Sequence, residues 1–126
     1  MRVFKNKWFN RWASRENIPD IVLLGAAADI AAGKADADLG GCLFKKRIAR
    51  AGGGKRGGYR TIVGYKKPTA DRIIFLYAFA KNEKANISIR EESALSLVAE
   101  AFVSATDKQV NELVANGSIW EVQYHE

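Results

Sequence analysis

Cysteine and histidine are almost absent from this chain of 126 residues, which has one of each, Cys42 and His125. A single cysteine cannot form an internal disulfide, which agrees with a reducing compartment. One histidine and one cysteine also leave a zinc site without its usual ligands, so we expect neither a metal nor a cofactor. We interpret Cys42 as a small core residue and His125, next to the carboxyl end, as a solvated side chain.

Long apolar runs are also lacking. The longest, residues 21–28 continued by 30–32, is interrupted by Asp29 and is too short to span a membrane. The amino terminus has basic residues but no apolar signal-peptide core behind them. The sequence therefore predicts a cytoplasmic protein with no membrane partner. Its 48% apolar and 27% charged residues are ordinary for a globular protein, and we expect one domain over residues 1–126.

Acidic residues are missing from residues 43–60, LFKKRIARAGGGKRGGYR, a segment with five glycines and seven basic residues. Concentrated positive charge of this kind favours a polyanion, and glycine lets the backbone lie close to a ligand. At the period of a strand, Lys45 and Arg47 point to one face and Lys46 to the other. The basic residues of the segment are Lys45, Lys46, Arg47, Arg50, Lys55, Arg56 and Arg60.

The charge is also uneven along the chain. The net charge of +6 combines this basic middle with residues 91–126, which have one basic and seven acidic residues. A basic region beside an acidic end predicts one face for nucleic acid and an opposite face that avoids it. The alternative is that the two regions neutralise each other in the fold.

The apolar periodicity predicts an α+β fold, with an antiparallel sheet of about four strands and two helices before its main strands. A short strand over residues 2–5 precedes a helix over 7–15, which places Trp8 and Trp12 on one face. We interpret these tryptophans as core residues rather than as a stacking platform for nucleic acid. A second helix begins at Pro19 and Asp20 and ends at Gly33.

The remaining elements follow the glycine pair at 40–41. Strands over residues 43–49, 59–66 and 72–80 predict an antiparallel meander, with the third strand, apolar on both faces, in the centre of the sheet. Capping-box patterns at Ser88 and Thr106 predict one or two helices after the sheet. The tail alternates at Trp120 and Val122 as an edge strand does.

These motifs, in this order, resemble the RelE/HigB-like toxins of bacterial toxin–antitoxin systems, and most closely the HigB-like branch. The resemblance covers about residues 1–104. It rests on the K-x-R of the basic strand, on the GKRGGYR loop at 54–60, and on the FAKNE segment at 79–83. Arg56 stands where the branch usually has serine.

The resemblance implies a ribosome-dependent endoribonuclease that cuts messenger RNA without a metal. In such an enzyme the 2′-hydroxyl attacks the adjacent phosphate, which requires a base, positive charge for the transition state and an acid for the leaving oxygen. By position in the motif the implied catalytic residues are Arg60 for charge stabilisation, Lys45 as candidate base, and Arg47. The implied residues for RNA or phosphate binding are Lys46, Arg50, Lys55, Arg56, Lys81 and Asn82.

The chain departs from the family pattern at two positions. Asn82 stands where the RelE branch has an arginine, and Ser88 falls near its catalytic tyrosine, so no residue is assigned as the general acid. The implied partners are messenger RNA on the ribosome and a cognate antitoxin, a small helix-turn-helix protein encoded beside it.

Two alternatives remain at this point. One is a toxin without catalysis that acts on another target such as DNA gyrase, as the ParE-like branch does, although that branch lacks the catalytic cations. The other is an RNA-binding regulatory protein, which the missing tyrosine and histidine favour.

Overall fold

Residues 1–50, 58–66 and 71–123 are described by a computed structural model of the chain. They form four helices around a sheet of six strands, in the strand order β2-β3-β4-β5-β1-β6. The elements in chain order are β1 (Arg2–Asn6), α1 (Lys7–Arg15), α2 (Asp20–Ala31), β2 (Ala37–Gly40), β3 (Leu43–Ile48), β4 (Tyr59–Gly64), β5 (Arg72–Ala80), α3 (Ile89–Ser104), α4 (Asp107–Ala115) and β6 (Ile119–Glu121).

Local signals determine where the helices begin and end. The Asn6 side chain accepts a hydrogen bond from the Phe9 N–H at 2.8 Å and so begins α1. Helix α2 closes at Gly33, whose φ of +83° is the left-handed conformation that a terminal glycine adopts readily. The capping boxes predicted at Ser88 and Thr106 are both present and begin α3 and α4. The predicted helix boundaries are thereby confirmed.

The sheet is larger than predicted and is not wholly antiparallel. The meander of β3, β4 and β5 is confirmed, and the tail supplies β6. However, β2 was not predicted, and β1 pairs in parallel with β5, from Arg2 opposite Arg72 to Lys5 opposite Phe75. Strand β6 then adds to β1 antiparallel. These pairings join residues about seventy or more positions apart, and local patterns carry no information about such pairings.

Each face of the sheet has its own apolar core, and β5 contributes to both. Ile73 and Phe75 pack with α1 and α2 on what we call the amino-terminal face. Ile74 and Leu76 pack with α3 and α4 on the carboxyl-terminal face. This explains why β5 is apolar at successive positions, as expected of a central strand covered on both sides.

Helix α3 lies very close to one end of β4. A Cβ at Gly64 would lie 3.0 Å from the Cβ of Ala99, so glycine at this position lets helix and strand approach. Ser96 donates a hydrogen bond from its hydroxyl to the carbonyl oxygen of Gly41 at 2.8 Å, which ties α3 to the start of β3. Cys42 beside it is half-buried at the edge of this core. His125 lies outside the described residues.

Candidate functional site

The strand register brings three of the predicted cations to one face of the sheet. Arg47 lies directly opposite Arg60, and Lys45 lies opposite Ile62, across the β3–β4 pair. Ile62 belongs to the core of the carboxyl-terminal face, and side chains alternate along a strand. Lys45, Arg47 and Arg60 therefore share that face. We call the surface formed by these three side chains the basic face.

Two arginines opposite each other are unfavourable unless an anion lies between or above them. Like charges directly across a strand pair destabilise a sheet. In the described part of the chain, no acidic side chain forms an ion pair with Lys45, Arg47 or Arg60. The carboxylate of Asp36 accepts a hydrogen bond from the backbone N–H of Arg47 at 2.5 Å, not from its guanidinium. The three side-chain charges are thus available to a ligand.

Arg60 has an unusual environment. Its side chain is half-buried, and the Nη1 atom is buried without a hydrogen-bond partner among residues 1–50, 58–66 and 71–123. Leaving a buried donor unpaired costs about 1–3 kcal/mol, and more for a charged group. A phosphate oxygen is a suitable partner, because a guanidinium can bind two such oxygens through parallel N–H donors. Arg60 therefore has the strongest structural reason among the cations to bind an anion.

The GYR motif divides its two large side chains between the faces of the sheet. Tyr59 is buried on the amino-terminal face, where its hydroxyl donates to Glu16 Oε1 at 3.2 Å and its ring meets Trp12 edge-on at 4.9 Å. Burial, with the nearby charge of Glu16, raises the pKa of Tyr59. Tyr59 thus anchors β4 to α1, while the next residue, Arg60, faces the opposite side.

The segment after β5 borders the basic face. Lys81 and Asn82 are exposed in the turn that follows β5. Lys84 contacts both carboxylate oxygens of Glu91 at 2.6 Å, and its amine lies 5.4 Å from the centre of the Tyr77 ring. The hydrogen bond from Lys84, joined by the N–H of Ser88, lowers the pKa of Glu91 to about 2. The same hydrogen bond raises the pKa of Lys84.

The other predicted binding residues lie elsewhere or outside the described residues. Lys46 is on the amino-terminal face, where its amine pairs with Asp29 at 3.1 Å and donates to the Lys34 carbonyl at 3.2 Å. The structure therefore does not bring Lys46 to the basic face. Arg50 is exposed just beyond β3, where its charge acts on Tyr59. Lys55 and Arg56 lie outside the described residues.

Sequence reasoning missed the aromatic residues beside the cations. Phe79 lies directly across from Arg60, and Tyr77 lies across from Ile62. The Tyr77 ring in turn lies 4.6 Å from the indole of Trp8, which is 41% exposed. The apolar run of β5 carried a signal, since a tyrosine in such a run needs an outlet for its hydroxyl. The contact with Trp8 had no signal in the sequence.

Two kinds of feature are absent from the described ranges: a metal site and a membrane-spanning helix. Within the described ranges, no group of three or more histidine, cysteine, aspartate or glutamate side chains is placed to hold a metal ion. No helix in the same ranges is long and apolar enough to cross a membrane.

An α+β fold whose sheet carries cations without an acidic partner among the described residues is suited to binding a phosphate-bearing ligand. The model of the RelE toxins of the RelE/RelB toxin–antitoxin system matches residues 1–122. Because the match covers nearly the whole chain, this chain belongs to the RelE toxin family. No curated protein matches it. The family pairs each toxin with a cognate antitoxin, and its members are typically endoribonucleases.

Proposed function

We propose that this chain is a toxin that cleaves messenger RNA on the ribosome, without a metal, and that its basic face is the catalytic site. The observation that carries the proposal is the pair formed by Arg47 and Arg60, which lie opposite each other without an acidic partner in the described ranges. Membership of the RelE family supports the class of reaction. The proposal places the protein in the cytoplasm, where ribosomes are.

The proposed reaction is transfer of a phosphodiester to the neighbouring 2′-hydroxyl. The 2′ oxygen forms a bond to phosphorus while the bond from phosphorus to the 5′ oxygen breaks, which leaves a cyclic phosphate and a 5′-hydroxyl. Lys45, as the neutral amine, takes the proton of the attacking hydroxyl, and the leaving oxygen takes up a proton from water, since no residue is assigned as the general acid. Arg60 and Arg47 stabilise the charge that accumulates on the phosphate oxygens.

The roles differ because the environments differ. Arg60 is half-buried, so its guanidinium is already partly desolvated before the phosphate arrives and its charge acts more strongly. Arg47 is exposed and contributes mainly attraction and orientation. Arg50, Lys81 and Asn82 lie at the margin, and we assign to them contacts with the RNA backbone farther along the strand.

The class of the antitoxin and the branch of the family to which the toxin belongs are part of the same proposal. We assign the protein to the HigB-like branch on its GYR and FAKNE segments, and its antitoxin to the helix-turn-helix class. An antitoxin that covers the basic face would hold the nuclease inactive, and acidic or segmentally disordered chains suit such a surface.

The test compares Arg60→Ala with Lys46→Ala. Loss of a preorganised group that stabilises transition-state charge lowers catalytic rates by roughly 10²-fold or more, and we expect this of Arg60→Ala. Lys46 is a matched control, because it is a cation on the adjacent strand whose amine pairs with Asp29 on the other face. We expect Lys46→Ala to retain most of the activity. The measurement is cleavage of ribosome-bound message, with circular dichroism to show that each variant is folded.

The outcome separates catalysis from general attraction. If both substitutions lowered cleavage equally, the cations would act only through net charge. Full activity and toxicity of a folded Arg60→Ala protein would end the catalytic assignment and favour a toxin that acts on another target.

A further inference from the structure

A cleft of about 420 Å³ opens between α1 and the end of β5. This volume lies within the range of about 300–1,000 Å³ that small-ligand sites occupy. Five of its lining residues are aromatic: Trp8, Trp12, Tyr59, Tyr77 and Phe79. We call it the aromatic cleft. None of the roles proposed above for the basic face uses it.

Trp8 gives the cleft a broad and oriented surface. Its indole lies nearly parallel to that of Trp12, at an angle of 8° with the ring centres 6.3 Å apart. It also contacts the Tyr77 ring at 4.6 Å, as described above, so it is held from two sides. Even so, 41% of Trp8 remains exposed. A large aromatic side chain that is held by its neighbours and still partly exposed is the kind of surface on which nucleobases stack.

The rim of the cleft favours a base over a phosphate. Arg15 and Lys84 contribute positive charge, but Glu16 and Glu83 line the same cleft and offset it. Two carboxylates would repel a phosphate here, whereas they would not repel a neutral base. Carboxylates also accept hydrogen bonds from the amino groups of bases.

The cleft borders the basic face at Phe79, which is one of the residues that line the cleft. Tyr77 and Phe79 have ring centres 6.2 Å apart, and Phe79 lies directly across the sheet from Arg60. Two residues along a β-strand span about 6.7 Å, which agrees with this separation of the two rings. Phe79 and Tyr77 thus connect Arg60 to Trp8, and we expect an RNA strand with one phosphate at Arg60 to place a nearby base at Trp8.

We infer that the aromatic cleft binds one nucleobase of the RNA strand by stacking on Trp8, next to the phosphate at Arg60. The inference rests on the proposed function for the identity of the ligand, since it concerns the same RNA. It adds a contact that holds the strand in register for cleavage. Because every base has a π-face, this contact depends little on sequence.

The experiment measures binding of a 2′-O-methyl oligoribonucleotide, which lacks the attacking hydroxyl and is not cleaved. A length of about eight nucleotides lies within the range for single-strand sites. Affinity is followed by fluorescence anisotropy over a series of salt concentrations. We expect Trp8→Ala to weaken binding about tenfold, the scale of losing one stacked base, with an unchanged dependence on salt.

Two further variants separate stacking from packing. Trp8→Phe keeps a ring and should retain most of the affinity, whereas Trp8→Leu keeps apolar packing without a ring and should behave as Trp8→Ala does. The matched control is Trp120→Ala, because Trp120 is 36% exposed on β6 and does not line the cleft. We expect its affinity to equal that of the unaltered protein.

An abasic scan identifies the base. Removing the base at one position of the oligonucleotide should weaken binding to the unaltered protein but not to Trp8→Leu, since the two changes remove the same contact. The inference is overturned if the unaltered protein does not bind at low salt, if Trp8→Leu binds normally, or if no abasic position couples to Trp8. Cleavage that is lost in Arg60→Ala but unaffected in Trp8→Leu would leave the proposed function standing without the cleft.

Discussion

At the scale of single residues, the positions around the basic face show how neighbours in sequence acquire different roles. Tyr59 is buried against α1, while Arg60 has a buried Nη1 without a partner in the described part of the chain. Lys45 and Lys46 likewise face opposite sides of the sheet. Lys84, which was not among the predicted site residues, is held by Glu91 beside Tyr77. A positive charge is therefore informative only together with its face and its partners.

The ion pair of Glu91 predicts a pH dependence of stability. Since the pKa of Glu91 falls from 4.5 to about 2 in the folded protein, the stabilisation that it provides is present above about pH 4.5 and is lost as the pH falls towards 2. We expect Glu91→Gln to lower the free energy of unfolding at neutral pH and the difference from the unaltered protein to shrink in acid. Urea unfolding at several pH values measures this. Glu92→Gln is the control, and a difference that stayed constant down to pH 2 would contradict the prediction.

At the scale of secondary-structure elements, α3 determines how much of the carboxyl-terminal face remains open. It packs closely on the end of β4 at Gly64, whereas Arg60 lies near the start of the same strand. The capping box at Ser88 starts the helix just after the segment that carries Lys84. The position of α3 thus separates an apolar part of the face from the basic part.

Two glycine substitutions test this packing with opposite signs. Gly64→Ala would place a Cβ 3.0 Å from Ala99 and 3.1 Å from Ile74, and overpacking of this kind costs about 1–3 kcal/mol. Gly25 is an exposed position of α2 with no atom within 4 Å of a new Cβ, so Gly25→Ala should stabilise by about 0.5–1 kcal/mol. Urea unfolding gives both values. Equal effects of the two changes would mean that α3 does not press on β4.

At the scale of the whole molecule, charge is separated along the chain, although α3 and α4 pack on the same side of the sheet as the basic face. The basic face is built by β3 and β4, whereas residues 91–126, which contain most of α3 and all of α4, carry one basic and seven acidic side chains. An acidic region repels RNA and so limits the surfaces on which a strand can lie. This separation favours one orientation of the protein on a large RNA assembly.

Cleavage should depend on the ribosome. The basic face offers charge for a phosphate but little that would align a 2′-hydroxyl for in-line attack, and alignment accounts for a large share of such rate accelerations. We therefore expect negligible cleavage of naked RNA and clear cleavage of the same RNA bound to ribosomes. Gel analysis of end-labelled message at equal protein concentration measures both. Equal cleavage rates for naked and ribosome-bound RNA would contradict the proposed dependence on the ribosome.

The sequence by itself determined the local structure of this protein. Helix starts at Asn6, Ser88 and Thr106 depend on hydrogen bonds within a few residues, and the strand period already placed Lys45 and Arg47 on one face. The concentration of cations in residues 43–60 likewise pointed to a polyanion before any fold was known.

Only the tertiary structure decided the pairings and contacts between distant segments. Strand β1 lies parallel to β5, Arg47 lies opposite Arg60, and Trp8 meets Tyr77 across nearly seventy residues. The physical reason is that capping and periodicity are local, whereas the choice of strand neighbours depends on how all apolar faces are buried at once. The same cause left the aromatic cleft invisible in the sequence, since Trp8 reads as a core residue until its neighbours are known.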